Sequence, residues 1–149
     1  MTVKRVELLA IEGKRYARNL RQLGQVRIDH NSTVTVVSDA EPGAATIEFR
    51  YTASYGAAGL ITIEGALVWE GTPQFDAKQL TETWRASSQM PPDVASEIHN
   101  TVMRVCLPEA VVVAKDLQLP PPIPLPQIKF QAPGPTGPSA PAGNSMEVV

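Results

Sequence analysis

The residues able to do covalent or metal chemistry are few, and their spacing keeps them apart. Cys106 is the sole thiol of the 149-residue chain, and His30 and His99 are its only imidazoles. Cys106 follows His99 by seven residues, two turns of a helix. That spacing offers at most a pair of ligands where a zinc site needs three or four. Cys106 also follows Val102 and Val105 on an apolar stripe, where a small buried thiol is the ordinary outcome. The acidic residues of the strands fall on outward positions, so no two carboxylates converge for acid–base work. Gly56-Ala-Ala-Gly59 joins two strands instead of opening a helix, and so is no phosphate loop. The expectation is a protein that is not an enzyme, with no catalytic residue, no cofactor and no metal.

The remaining chemistry is that of surfaces. Phe49, Tyr51, Tyr55, Trp69 and Trp84 are large side chains on inward-pointing positions, and the cheapest role for them is core. Some of them can also wall a groove between sheet and helix, in which an extended apolar peptide would lie. Tyr51, Tyr55, Leu60, Trp69 and Trp84, near strand ends and the first helix, are the candidate peptide-binding residues. Asn100 is a polar residue inside a helix; were it to sit at the helix–sheet interface, its partner would be a backbone group and not a ligand.

A second surface element is written in proline. Residues 120–126 hold five prolines in seven positions, interleaved with Ile123 and Leu125 and followed by Ile128 and Phe130. Proline fixes φ and removes a backbone donor, so the segment is an extended polyproline II ribbon. Its apolar residues suit it to lie on a surface as a strap, or to serve as a PxxP-type ligand for an aromatic-lined domain. Beyond it, Pro/Gly/Ser/Ala composition cannot offset chain entropy. Residues 131–149 are therefore expected to be a disordered tail, after a single domain over 1–130.

Elements that could position these residues follow from periodicity. Residues 3–22 fit a helical period through Val6, Leu9, Gly13, Tyr16 and Leu20, yet 4–11 also fit a strand. From Gln25 the period is two, with Val26, Ile28, His30, Val34 and Val36 on one side. Ala45–Tyr55 and Leu60–Glu70 alternate likewise and are joined by a short glycine turn, which predicts an antiparallel meander with one wet face. Gly65 on the inward side marks a bulge or a close crossing. A helical period then covers 75–87. A second helix opens at Pro91-Pro92-Asp93, with Val94, Ile98, Val102, Val105, Ala110, Val113 and Leu117 as its apolar stripe. Pro108 predicts a kink or break near Arg104–Leu107.

Composition sets the outer limits. Hydrophobic content of 43% with 19% charged residues is that of a globular domain, and the length suits one domain with its own core. A single cysteine excludes an internal disulfide and fits a reducing compartment. No apolar run approaches a membrane span, and Val6–Ile11 runs into Glu12 with no small-residue cleavage site. A cytoplasmic location without membrane insertion is expected. Net charge is −2, but residues 1–27 carry seven basic against two acidic residues. A basic end can meet phosphates, although Tyr16 is its only aromatic and no nucleic-acid motif accompanies it.

The chain resembles the SecB-like family of protein-export chaperones, as a divergent member. The resemblance rests on Phe49-Arg-Tyr51, Tyr55-Gly56 and Ile61-Thr-Ile-Glu-Gly65 in the meander. It rests also on Trp84 in a short helix before Met90-Pro-Pro-Asp-Val-Ala-Ser-Glu-Ile98, and on the proline-rich exit over 120–130. It implies an α+β fold: a twisted antiparallel meander of about four strands, a short and a long kinked helix on one face, and a Pro-rich C-terminal strap. It implies a holdase that binds unfolded or extended polypeptides for export or folding, assembled as a homo-oligomer, dimer or tetramer. A translocation motor is the further partner it implies, although the basic N-terminal region departs from the acidic surface expected there. Two other functions are weighed beside it: a protein-interaction module presenting the PxxP ribbon, and a nucleic-acid-binding domain using the basic region.

Overall fold

The computed structural model describes residues 2–123. The alternatives left open over 3–22 resolve toward the strand: β1 spans Thr2–Arg15, followed by a 3₁₀ turn at Leu20–Leu23. Asp29–Asp39 forms β2, Ala44–Ser54 β3 and Gly59–Glu70 β4. The helices are α1, Ala77–Ser87, and α2, Pro92–Asp116. All four strands make one antiparallel sheet in the order β1-β4-β3-β2. After β1 the chain crosses to the far edge and returns as the meander, so β4 closes against β1. The architecture is α+β, with the fourth strand supplied by the N-terminal residues.

The faces of the sheet follow the alternation of side chains. Ile47, Phe49, Tyr51 and Ala53 of β3 and Ile61, Ile63, Leu67 and Trp69 of β4 are buried together beneath the helices. Thr46, Glu48, Arg50 and Thr52 point the other way, and Arg50 pairs directly with Glu64 across the strands at 3.3 Å. β2 departs from the expected alternation. A bulge between Val34 and Val36 places Thr35 as the extra residue, whose hydroxyl donates to the Glu48 carbonyl at 3.2 Å. Val34 therefore stays in the core, Val36 turns to the polar face and Val37 packs inward again.

Gly65 is the close crossing that its inward position predicts. A Cβ there would lie 2.7 Å from the Phe49 ring and 2.5 Å from the Glu7 carbonyl. The neighbouring β1 also bulges between Leu8 and Ala10. Glycine is what lets the Phe49 ring lie across β4.

α1 begins with a reciprocal capping box. Gln79 N–H donates to Asp76 Oδ1 at 2.8 Å, and Asp76 N–H donates to Gln79 Oε1 at 2.9 Å. It turns Ala77, Leu80 and Thr81 onto the core.

α2 buries Val94, Ile98, Thr101, Val102, Cys106, Ala110 and Ala114. Small residues at 106, 110 and 114 let the backbone approach the sheet, so Val105, Val113 and Leu117 lie at the sides of the contact and only half-buried. Asn100, whose place was open, is exposed on the solvent side; the i/i+4 row of Ile98, Val102 and Cys106 occupies the helix–sheet interface. α2 also runs through Pro108 without a break. The carbonyl that proline deprives of a donor belongs to Arg104, and both residues are exposed, where water can satisfy it.

Past α2 the chain turns at Gln118, φ 56°, and runs back over the helix. Leu119 is buried, Pro122 is fully buried and Ile123 half-buried. The strap is thus docked as far as Ile123. Its expected continuation through Leu125, Ile128 and Phe130, and the tail expected over 131–149, lie outside the described residues.

Candidate functional site

Each buried aromatic with a polar tip sets a constraint on the layer between sheet and helices. Tyr51 Oη and His30 Nδ1 lie 2.7 Å apart in a hydrogen bond between β3 and β2. Ser32 Oγ and His99 Nδ1, 2.6 Å apart, tie β2 to α2. Tyr55 Oη donates to the Pro120 carbonyl at 2.6 Å and holds the strap. Burial raises the pKa of Tyr51 and pushes that of Tyr55 up to about 12, so both phenols stay neutral at physiological pH. Trp69 meets Phe75 edge-on, with ring centroids 6.3 Å apart. Among the described residues, Trp69 Nε1 is the one buried side-chain nitrogen or oxygen without a hydrogen-bond partner.

Three openings break the surface around this layer. A cavity of about 250 Å³ is lined by Trp69, Thr72, Phe75, Pro91, Asp93 and Val94. The indole lining it holds a donor that nothing among the described residues satisfies. A second, of about 380 Å³, lies between β2 and the helices, with Val34, Trp84, Met90 and Ala95 facing Ser32 and His99. A third runs along the outer side of α2. This groove, of about 440 Å³, is walled by Met103, Leu107, Pro108, Val111 and Ile123, with Arg104 the one charged residue among the described ones that line it. At one edge of the sheet, β1 leaves a strand edge unpaired among the described residues and exposes Leu9 and Ile11.

The five candidate binding residues do not share one groove. Tyr51, Tyr55 and Trp69 are at most 2% exposed beneath the helices. Leu60 alternates with the inward Gly59 and Ile61, so it points to the opposite face of the sheet. Trp69 and Trp84 line different openings. Sequence reasoning passed over Met103, Leu107 and Val111. Their spacing of four residues is itself a helical row beside the main stripe, and it was the available signal.

The residues with covalent potential are placed as structure. Cys106 is fully buried in the α2 contact, and burial pushes its thiol up to about 11, which keeps it from forming a reactive thiolate near neutral pH. Among the described residues no three His, Cys, Asp or Glu side chains gather as a metal site. Among the same residues no helix is long and apolar enough to cross a membrane. The basic N-terminal residues are partly engaged. Lys4 pairs with Glu70 at 2.8 Å, and Arg15 donates to the carbonyls of Ala17, Arg18, Leu117 and Gln118.

No protein-family model matches the sequence, and no curated protein matches it. Among solved structures, the chain is similar to the Mycobacterium tuberculosis Rv1957 SecB-like chaperone, determined in complex with a ChAD peptide from the Rv1956 HigA1 antitoxin. The TM-score is 0.55 at 12% identity, over 86% of this chain and 87% of that one. The fold is SecB-like.

Proposed function

We propose that this protein is a non-catalytic holdase that binds unfolded or extended polypeptides. The observation that carries the reading is the groove on α2, apolar along its length and open to solvent. Narrow grooves of this kind offer apolar side chains a site while giving folded proteins no flat patch to adhere to. Met103 adds a flexible, polarisable wall that adapts to different guests. The Trp69 and Trp84 openings are further places for side chains of the same client, and contacts at several weak sites add by avidity. Likeness in fold to a chaperone solved with a bound peptide supports the reading without carrying it, since one fold serves many functions.

On this reading the client is held competent for folding or export, and a translocation motor receives it in the export branch. Self-association as a homo-oligomer extends the binding surface beyond what one small domain offers, and the free edge of β1 with Leu9 and Ile11 is the place for it. The PxxP-ligand reading is less favoured, because Leu119 and Pro122 are buried and Pro120 is held by Tyr55. The nucleic-acid reading loses Arg15, whose guanidinium is occupied by four carbonyls.

The test is suppression of aggregation of a chemically unfolded client, without nucleotide, at micromolar protein. The wild-type chain should hold the unfolded client and ignore it once folded. Leu107→Ser with Val111→Ser should weaken holding while leaving the melting temperature within a few degrees, since both residues are only half-buried. Failure to hold any unfolded client would sink the proposal.

A further inference from the structure

Trp69 carries a hydrogen-bonding need that the fold leaves unmet. Its side chain is fully buried, and its Nε1 N–H has no partner among the described residues. A buried indole ordinarily finds an acceptor. An acceptor can come to it through the cavity that the same indole lines with Thr72, Phe75, Pro91, Asp93 and Val94. One side of that cavity is a tightly bonded loop. Thr72 N–H donates to the Phe75 carbonyl at 3.0 Å, and Phe75 N–H donates to the Thr72 hydroxyl at 3.1 Å. On the other side, the first turn of α2 presents Asp93, which is exposed. Its Oδ1 accepts from Val94 N–H at 3.0 Å, and a carboxylate has further lone pairs to offer. The cavity holds about 250 Å³. Benzene enters an apolar cavity of about 150 Å³, so a side chain the size of leucine or phenylalanine has room.

A buried donor, an exposed acceptor and apolar walls match one chemical pattern, an apolar side chain with its peptide units attached. We propose that the Trp69 cavity receives one apolar residue of an extended polypeptide, its backbone carbonyl accepting from Trp69 Nε1 and a neighbouring backbone N–H donating to Asp93. A hydrocarbon or an acyl chain has nothing to give the indole. A free carboxylate would bring its charge against that of Asp93, at a Coulombic cost. Folded proteins have already paired their buried backbone amides, whereas an extended segment arrives with donor and acceptor both free. The site therefore distinguishes unfolded chains from folded ones by their backbone. This deepens the holdase reading and rests on it, naming the feature of the client that is recognised.

The experiment titrates N-acetyl-leucine N-methylamide, one apolar residue flanked by two peptide units, into the isotope-labelled full chain and follows the indole N–H signals by NMR. Trp69 and Trp84 are the two tryptophans, so Trp84→Phe assigns the signals and Trp84 serves as the internal control. A ligand of this size is expected to bind at about 1 mM, and about ten times that concentration nearly saturates the site. The Trp69 indole proton should move downfield while that of Trp84 stays in place. N-acetylglycine N-methylamide, which lacks the side chain, and N-acetyl-leucine, which ends in a carboxylate, should each bind at least about fivefold more weakly. Asp93→Ala should weaken the leucine probe about tenfold. Asp93→Asn, which keeps an acceptor without the charge, should hold the probe to within about fivefold and admit the acid. An unmoved Trp69 signal overturns the proposal, as does an equal response to the glycine compound or binding that ignores Asp93→Ala. Unfolded clients held with Trp69 unmoved would remove this site alone. Trp69 shifted by the probe with no client held would remove the holdase reading alone.

Discussion

The phenol of Tyr55, at the end of β3, donates a 2.6 Å hydrogen bond to the backbone carbonyl of Pro120. This one contact joins the meander to the proline ribbon across 65 residues of sequence. Its value lies in what proline lacks. Pro120, Pro121 and Pro122 have no backbone donors and a polyproline helix makes no internal hydrogen bonds, so its carbonyls must find partners elsewhere or remain in water. Tyr55→Phe should therefore keep the packing of the ring and lose the anchor, at a cost of about 0.5–1.5 kcal/mol. Urea denaturation would measure it. A variant as stable as the parent would show that the ribbon is held by Leu119 and Pro122 alone.

Burial of three weak acids makes the fold sensitive to alkali. Tyr55 is pushed up to about 12 and Cys106 up to about 11, and Tyr51 is raised as well, in each case chiefly by desolvation. In every case the folded state holds the proton more tightly than the unfolded chain does. The stability they confer is complete below the unfolded values and is lost as pH rises through the folded ones. The melting temperature should thus start to fall near about pH 9 and decline steeply toward about pH 11–12. Phenolate absorbance followed in parallel should show two tyrosines ionising late, together with unfolding. Ionisation of all three tyrosines near the free-phenol value, with the fold intact, would contradict the burial.

Gly65→Ala should be among the most damaging small substitutions in the sheet. The new methyl would meet the Glu7 carbonyl, which is backbone, and the Phe49 ring, which is packed. Neither yields easily, and a cost of about 1–3 kcal/mol is expected. Gly13→Ala is the control. Its methyl would meet the tips of Val113 and Leu117, which can rotate away, so thermal denaturation should rank it as the milder change.

Arg15 closes the far end of α2. Its guanidinium reaches the carbonyls of Ala17 and Arg18 on its own side at 2.7 and 2.8 Å, and those of Leu117 and Gln118 beyond the helix at 3.1 and 3.4 Å. Carbonyls at a helix C-terminus are left without intrahelical donors, and a planar fork can serve several of them together. Arg15→Lys keeps the charge but cannot fork, and should lose most of what Arg15→Met loses, about 1–3 kcal/mol. Hydrogen exchange at the last turn of α2 would detect the loosening. Full rescue by lysine would assign the effect to charge alone.

The meander and the helices were legible because their signals are local. Strict alternation over residues 45–55 marks a half-buried strand whatever lies on top of it, and a proline pair before an acid opens a helix by its own dihedrals and dipole. The Asp76-Ala-Lys-Gln79 capping box is equally local. What local pattern left open was settled by pairing. Residues 3–22 fit a helical period while 4–11 also fit a strand, and the edge of β4 decided for the strand, since its backbone donors and acceptors needed a partner. The bulge at Thr35 reversed Val36 for a similar reason: the register with β3 is a property of two strands and is written in neither alone.

The same division runs through the candidate site. Large aromatic residues, a lone thiol and a proline ribbon with apolar teeth are facts of composition, and they pointed to surfaces over catalysis. Which of those side chains face an opening is a question of distance. Tyr51 and Tyr55 carry the right chemistry for a groove, yet the helices close over them, because small residues at 106, 110 and 114 bring α2 down onto the sheet. That approach rolls Met103, Leu107 and Val111 to the outer side, where the returning chain supplies Ile123 as the opposite wall. The row of Met103, Leu107 and Val111 marks one wall of the groove in the sequence, but that Ile123 meets it is decided only by folding. The groove exists because the ribbon turns back at Gln118 and is held there by Tyr55 from the end of β3.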